Sequence, residues 1–212
     1  MKQYRGILLA VLLCLGIGLA GCKAAPKIDL GKVEGNTYTH DYFDFTMELP
    51  EDWLIADEDE LLAAMEAGAE FMAEGNKEKR EAFDFASLKS LNLFLTYQYP
   101  LGTVGNPNII CVAEKVSILQ GIKNSRDYLN IVKTQLEATS LLYTFGEFGE
   151  ETLGGKQFST LALSMDSGDG GQFLLKYYVT IHKGYALNLI IFYRDEGDLD
   201  TLNKALQSLS FR

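Results

Sequence analysis

Cys22 is the residue whose setting assigns it the clearest chemistry in this sequence. It closes the run Leu19–Cys22, which follows an uncharged apolar stretch over 7–20 and two cations near the start of the chain. This pattern is typical of a bacterial lipoprotein signal, in which a peptidase cleaves between Gly21 and Cys22 and the thiol receives a diacylglycerol. The apolar stretch is shorter than the roughly 20 residues that span a bilayer. An ordinary secretory signal with an incidental cysteine and an uncleaved anchor are the alternatives.

Lipidation of Cys22 predicts three regions. Residues 1–21 are expected to be a lipoprotein signal peptide, 22–36 a lipidated tether, and 37–212 a single folded domain. The tether has no sustained period and contains Pro and Gly, and its 14 residues after Cys22 reach at most about 45 to 50 Å when extended. We therefore expect a domain anchored by lipid to the extracytoplasmic face of the cell membrane.

Net charge limits what this domain binds. Without residues 1–21 the chain keeps 17 Lys and Arg against 29 Asp and Glu, a formal charge of −12. Such a surface repels nucleic acid and anionic lipid head groups, so no nucleic-acid partner is expected. The membrane is expected to hold the domain through the lipid on Cys22, because two or three acyl chains anchor a protein stably.

The one cysteine of the expected domain and the two histidines show no catalytic pattern. Cys111 lies in the apolar run Ile109–Ala113 and is expected to be buried and unreactive. His40 beside Asp41 has the chemistry of a general base, but no partner nucleophile follows from the sequence, and a surface histidine on an edge strand is the simpler interpretation. His182 is the only other histidine. We therefore expect no catalytic residues and no enzyme.

Two acidic clusters carry carboxylate oxygens, which are ligands that calcium binds. Asp166–Gly171 resembles part of a calcium loop, but its carboxylates are three residues apart and no Glu occupies the twelfth position, so a glycine-rich hairpin turn is favoured. Asp195–Asp200 precedes the last predicted helix, where carboxylates satisfy free backbone amides. We predict no metal site and no cofactor.

Aromatic side chains are the remaining signal for binding. Trp53, the only tryptophan, follows a predicted strand end at Pro50 and is expected to pack against the core, with an exposed ligand platform as the alternative. Tyr97 and Tyr99 lie on a predicted strand among other aromatics, which either pack the sheet or line a pocket. Trp53, Tyr97 and Tyr99 are our candidate binding surface.

The elements that position these residues alternate between strands and helices. Period-two and helical spacing predict strands at 43–48, 91–99, 109–116, 143–152, 157–165, 172–182 and 186–193, and helices opening at Asp57–Glu60, capped by Ser125 and capped by Asp198, with 77–86 as a further helical piece. This order predicts an α+β fold, an α/β/α sandwich with a central antiparallel sheet and helices on its faces.

Two segments resemble the PsbP-like (Mog/PsbP/DcrB-like) superfamily, which includes bacterial lipoproteins. The opening Tyr42–Thr46, followed by Leu49-Pro50 and Trp53, is similar to the aromatic-x-Phe-Ser/Thr…Leu-Pro-x-x-Trp start of that family, and the end Ser208–Phe211 is similar to its close. The resemblance implies an α/β/α sandwich around an antiparallel sheet and offers no common catalytic residues. It implies a binding or assembly role.

Together these observations predict a non-enzymatic, lipid-anchored protein that binds an unknown protein partner or assists assembly in the cell envelope. The alternative is a lipoprotein that binds a small ligand or a metal and is associated with a transporter.

Overall fold

The computed structural model of the protein describes residues 28–81 and 89–212. The signal segment 1–21, the cleavage position after Gly21 and the lipid site Cys22 lie outside these residues. Within the described ranges, no helix is both long enough and apolar enough to cross a bilayer.

Short strands open the chain and longer ones follow, with helices between them. The strands are β1 Lys32–Glu34, β2 Thr37–His40, β3 Phe45–Glu48, β4 Leu54–Ile55, β5 Ser90–Tyr97, β6 Asn108–Lys115, β7 Tyr143–Leu153, β8 Lys156–Asp166, β9 Gln172–His182, β10 Tyr185–Tyr193 and β11 Ser210–Phe211. The helices are α1 Glu58–Ala73, α2 Ser125–Glu137 and α3 Glu196–Gln207, with a 3₁₀ turn at Ile118–Gln120 and a further helical segment over 77–81.

Seven antiparallel strands form the central sheet, in the spatial order β4-β5-β6-β10-β9-β8-β7. Both of its faces are buried, as the alternation in β6 shows: Ile109 and Cys111 belong to one core cluster, and Ile110 and Val112 belong to the other. The expected α+β fold with a central antiparallel sheet is confirmed.

Helices α1 and α2 cover the first face of the central sheet. Asp57 begins α1 with a capping box, in which its side chain accepts from the Glu60 amide and Glu60 returns a bond to the Asp57 amide. Helix α2 buries a stripe at helical spacing that includes Leu129, Val132 and Leu136. Its cap is Asn124, one residue before the Ser125 that the sequence suggested, and the Ser125 hydroxyl instead bonds the Ser159 hydroxyl at 2.7 Å.

A second, four-stranded sheet shares the other face with α3. Its order is β1-β2-β3-β11, and its aromatic residues, with Leu202 and Leu206 of α3, pack on the central sheet. Asp195 caps α3, not Asp198 as expected, because the Asp198 amide is itself the donor to the Asp195 side chain at 3.0 Å. The sandwich therefore has helices on one face, and a small sheet together with a helix on the other.

Part of the expected tether belongs to this second sheet. Strand β1, within 22–36, pairs in register with β2, and the Tyr38 hydroxyl donates to the Leu30 carbonyl at 2.6 Å. Ile28 packs against the core on this face. The folded region thus reaches back to the first described residues.

The β7 strand forms one edge of the central sheet and pairs only with β8 among the described strands. Its pairing is interrupted by a bulge between Phe145 and Phe148, and the exposed Glu147 lies in that bulge. Exposed Glu150 follows further along the strand.

Candidate binding cleft

A cleft of about 530 Å³ opens where β3 ends against α3 and the end of β5. Its lining comes from three places in the chain: Glu48, Leu49, Pro50, Glu51, Asp52 and Trp53 from the segment after β3, Gln98 from the residue after β5, and Thr201, Lys204 and Ala205 from α3. The Leu49-Pro50…Trp53 motif therefore forms one wall of the cleft.

Local hydrogen bonds fix this wall. The Leu49 amide donates to the Asn36 carbonyl at 2.7 Å, and the Asn36 side chain donates back to the Leu49 carbonyl at 3.2 Å. Pro50 has no amide to continue the strand, and its carbonyl accepts from the Trp53 amide at 3.1 Å. This turn brings the half-buried Trp53 back against the core while part of its side chain faces the cleft.

The polar groups in the cleft are of mixed charge. The Gln98 side-chain oxygen is buried and has no hydrogen-bond partner among the described residues. A buried carbonyl oxygen without a donor costs free energy, but this oxygen has almost no accessible surface, so a ligand N–H or O–H reaches it only if the Gln98 side chain rotates toward the cleft. Glu51 and Asp52 are exposed on one wall, and exposed Lys204 lies on the wall formed by α3.

Of the three candidate aromatic residues, only Trp53 lines the cleft. Tyr97 is 3% exposed and lies on the helix-covered face, where its hydroxyl donates to Glu60 at 3.4 Å. Strand alternation explains the difference, because Gln98 and not Tyr97 points to the Trp53 side. Tyr99 is exposed in the loop after β5, and its amide and carbonyl both bond the Asn106 side chain.

His40 is fully buried rather than at the surface. Strand β1 pairs with β2, so β2 is not an edge strand of its sheet. The imidazole ring of His40 is 0% exposed, because residues before β1 lie over it. Its Nδ1 accepts from the Phe43 amide at 3.3 Å, which leaves Nε2 to donate to the Asp29 carbonyl at 3.1 Å. The neutral ring satisfies both bonds, and burial lowers its pKa. His40 is a structural residue.

His182 also makes a structural contact. Its Nε2 lies 3.0 Å from the Phe43 carbonyl, and burial, reinforced by nearby Lys156, lowers its pKa. Cys111 is completely buried, and burial raises the pKa of its thiol, as expected for an unreactive cysteine.

The acidic segments make internal contacts. Asp169 accepts from the Ser167 hydroxyl and from Arg194 at 2.9 and 3.1 Å, and these bonds lower its pKa to about 2. The Ser167 amide donates to the Gly171 carbonyl at 3.1 Å, which closes a hairpin turn between β8 and β9. Across the described ranges, no cluster of three or more His, Cys, Asp or Glu side chains is placed to hold a metal ion.

The sequence alone did not single out Glu51 and Asp52, which directly precede Trp53, or the distant cleft residues Gln98, Thr201 and Lys204. Gln98 lies between Tyr97 and Tyr99, which were candidates because they are aromatic. Thr201 and Lys204 lie on a helix more than 140 residues after Trp53. No local pattern marks them, because only the packing of α3 beside the end of β3 brings them to Trp53.

No protein-family model and no curated protein matches the chain. Solved structures similar to it include cyanobacterial PsbP from Synechocystis sp. PCC 6803, at 12% identity and TM-score 0.48, covering 92% of this chain and 99% of that one. LpqN, involved in cell envelope biogenesis of Mycobacterium tuberculosis, is 14% identical with TM-score 0.45, covering 78% and 82%.

A Bacteroides thetaiotaomicron protein is 13% identical with TM-score 0.46, and the match covers 85% of this chain. The chain spans about half (49%) of that protein's length.

Proposed function

We propose that this chain is a non-enzymatic lipoprotein, anchored through Cys22 to the extracytoplasmic face of the membrane, whose cleft at Trp53 binds a segment of a protein partner. The observation that carries the proposal is the cleft of about 530 Å³ itself, which brings together the half-buried Trp53 indole and the exposed carboxylates of Glu51 and Asp52.

The chemistry of the cleft favours a particular kind of segment. Glu51 and Asp52 attract a Lys or Arg, and the Gln98 carboxamide, once its side chain rotates toward the cleft, bonds a backbone or side-chain N–H. The Trp53 ring offers apolar area and a face for a cation. An extended peptide with a basic residue supplies all of these groups.

Photo-crosslinking in cells tests this proposal. A photoreactive residue at Asp52, on the cleft, is expected to capture a defined envelope protein. The matched control at Asn130, exposed on α2 over the opposite face, is expected not to capture it. Gln98→Leu is expected to abolish capture from position 52 while leaving the fold intact, because it removes an oxygen that has no partner in the described structure. Repeated capture of nothing at position 52, or of the same proteins at both positions, would contradict the proposal.

A small ligand is the second candidate, because a cleft of about 530 Å³ is the size of many small-molecule sites. A ligand at 100 times its dissociation constant stabilises the fold by about 2.7 kcal/mol. That stabilisation raises the melting temperature of a domain of this size by roughly 5 to 10 °C. The fluorescence of Trp53, the single tryptophan, would change at the same concentrations. A screen of cationic amines and amino acids that changes neither signal would exclude this candidate for those compounds.

A further inference from the structure

Three large apolar side chains of the described residues are at least 75% exposed, and two of them are neighbours, whereas the third, Leu142 at 89%, stands apart before β7. Ile118 is 75% exposed and Leu119 is 95% exposed, both on the 3₁₀ turn that follows β6. The turn is held in place: the Ser117 amide donates to the Gln120 side chain at 2.7 Å, and the Gly121 amide donates to the Ile118 carbonyl at 2.9 Å. Two large apolar groups are therefore presented to solvent on an ordered support, which we call the Ile118–Leu119 tip.

Lysines surround this tip, although the chain as a whole is acidic. Lys115 and Lys123 are exposed on either side of it, and no Asp or Glu lies between them in the sequence. Lys183 stands on the adjacent turn, because the Val116 amide donates to the Gly184 carbonyl at 3.1 Å. Lys183 is already paired with Asp44, and the Asp127 carboxylate accepts from the Lys123 amide at 2.9 Å. Lys115 and Lys123 are therefore the two lysines that the tip offers to the membrane.

The residues from Ile28 to the start of β1 lie at the same end of the molecule as the Ile118–Leu119 tip. The Asp29 carbonyl accepts from His40, whose ring is 4.7 Å from the ring of Phe43. The ring centroid of Phe43 in turn lies 5.3 Å from that of Tyr185, the residue after Gly184. This series of contacts connects the point where the chain enters the fold to the turn beside the tip.

We propose that the Ile118–Leu119 tip inserts into the interface of the membrane that holds the lipid anchor. The inference rests on the proposed lipidation of Cys22. Ile28 is the sixth residue after Cys22, and this stretch spans at most about 20 Å, so the end of the domain that carries the tip stays close to the bilayer. Ile and Leu favour the acyl boundary, and Lys side chains place their ammonium groups among the phosphates.

The overall charge of −12 does not oppose this contact. Exposed charges more than a Debye length apart, about 10 Å, are largely screened, so the lysines around the tip determine the local attraction. The acidic cleft residues Glu51 and Asp52 follow β3 at its far end, away from the turn at Phe43. Insertion of the tip therefore turns the Trp53 cleft away from the lipid.

An environment-sensitive fluorophore tests the insertion. The lipidated full chain carrying Leu119→Cys is labelled with a nitrobenzoxadiazole dye and reconstituted into vesicles of phosphatidylethanolamine and phosphatidylglycerol. The matched control carries Val104→Cys, because Val104 is also an exposed apolar residue, 54% exposed, but lies in the loop between β5 and β6 at the other end of the sheet. Cys111 is buried and does not compete for the dye.

We expect the label at position 119 to shift its emission to shorter wavelength and to be quenched by lipid-phase quenchers, and the label at 104 to remain in water. Flotation of the vesicles is measured on the same samples. Chain that floats with its 119 label in water, or with both labels shifted alike, would overturn the insertion while leaving the anchor intact. A 119 label that is shielded in native membranes but not in pure lipid would identify a protein as the occupant and overturn it too. Chain that fails to float would contradict lipidation itself.

Discussion

Gly31→Ala tests whether the residues before β1 are part of the folded domain. Gly31 has φ +78°, and a Cβ built there would lie 2.5 Å from the Tyr38 hydroxyl and 2.7 Å from the Thr39 carbonyl. Gly35 is the matched control, since its φ is +65° but a Cβ there meets nothing within 4 Å. Both variants strain the backbone, and only Gly31→Ala also collides with β2.

The expected costs follow from these distances. A side chain in the left-handed region costs about 1 to 2 kcal/mol, which is the whole expected effect of Gly35→Ala. Gly31→Ala adds overpacking of about 1 to 3 kcal/mol. Detachment of the segment limits that addition, because release of 28–34 forfeits the Tyr38 to Leu30 bond, worth about 1 kcal/mol, together with the His40 to Asp29 bond and the pairing of β1 with β2. It also forfeits the partial burial of Ile28, for which about 1.5 to 3 kcal/mol is an upper bound.

Urea unfolding of the chain from Lys23 onward measures both variants, and amide hydrogen exchange at Lys32–Glu34 reports detachment directly. We expect Gly31→Ala to lower the free energy of unfolding by at least about 1 kcal/mol more than Gly35→Ala does. We also expect faster exchange in β1 in Gly31→Ala alone. Equal unfolding free energies and equal exchange in the two variants would refute the packing of this segment and restore 22–36 as a free tether.

Two further predictions concern Cys22 and His40. Cys22→Ala is expected to release the domain from membranes or leave it unprocessed in cell fractionation, and a mutant that stays processed and membrane-bound would contradict lipidation. The folded-state pKa of His40 lies below its unfolded value of about 6.5, so the unfolded chain takes up the proton first and stability falls as pH drops through about 6.5. His40→Gln is expected to flatten this slope in unfolding experiments between pH 7 and 5, with a remainder from His182; an unchanged slope would exclude His40 as its source.

The sequence was sufficient to predict the larger elements because their signals are local. Asp57 and Glu60 form a capping box that marks the start of α1, and the apolar runs of β6 and β10 are long enough to identify buried strands. Strands β1, β2 and β11 have only two to four residues and carry little period-two signal, so of the second sheet only β3 was predicted. Its assembly depends on pairing between the two ends of the chain, Phe45 with Phe211, which no local pattern encodes.

The residues of the cleft were likewise predictable only where their signal is local in the sequence. The motif around Pro50 and Trp53 is contiguous and was recognised, whereas Gln98 and Lys204 reach the cleft only through tertiary packing. Tyr97 was a candidate because it is aromatic, but side chains alternate along β5, and this alternation places Tyr97 on the sheet face that the helices α1 and α2 cover.

The bulged edge strand β7 has a consequence for crowding. Confinement of many copies to one membrane surface would raise the frequency with which their sheet edges meet, and a flat edge of 11 residues would offer a template for aggregation. The bulge at Gly146 and Glu147 breaks the regular ladder of that edge, and Glu150 of one copy repels Glu150 of another. Loss of the bulge and of the exposed carboxylate together is therefore expected to favour edge-to-edge association between copies.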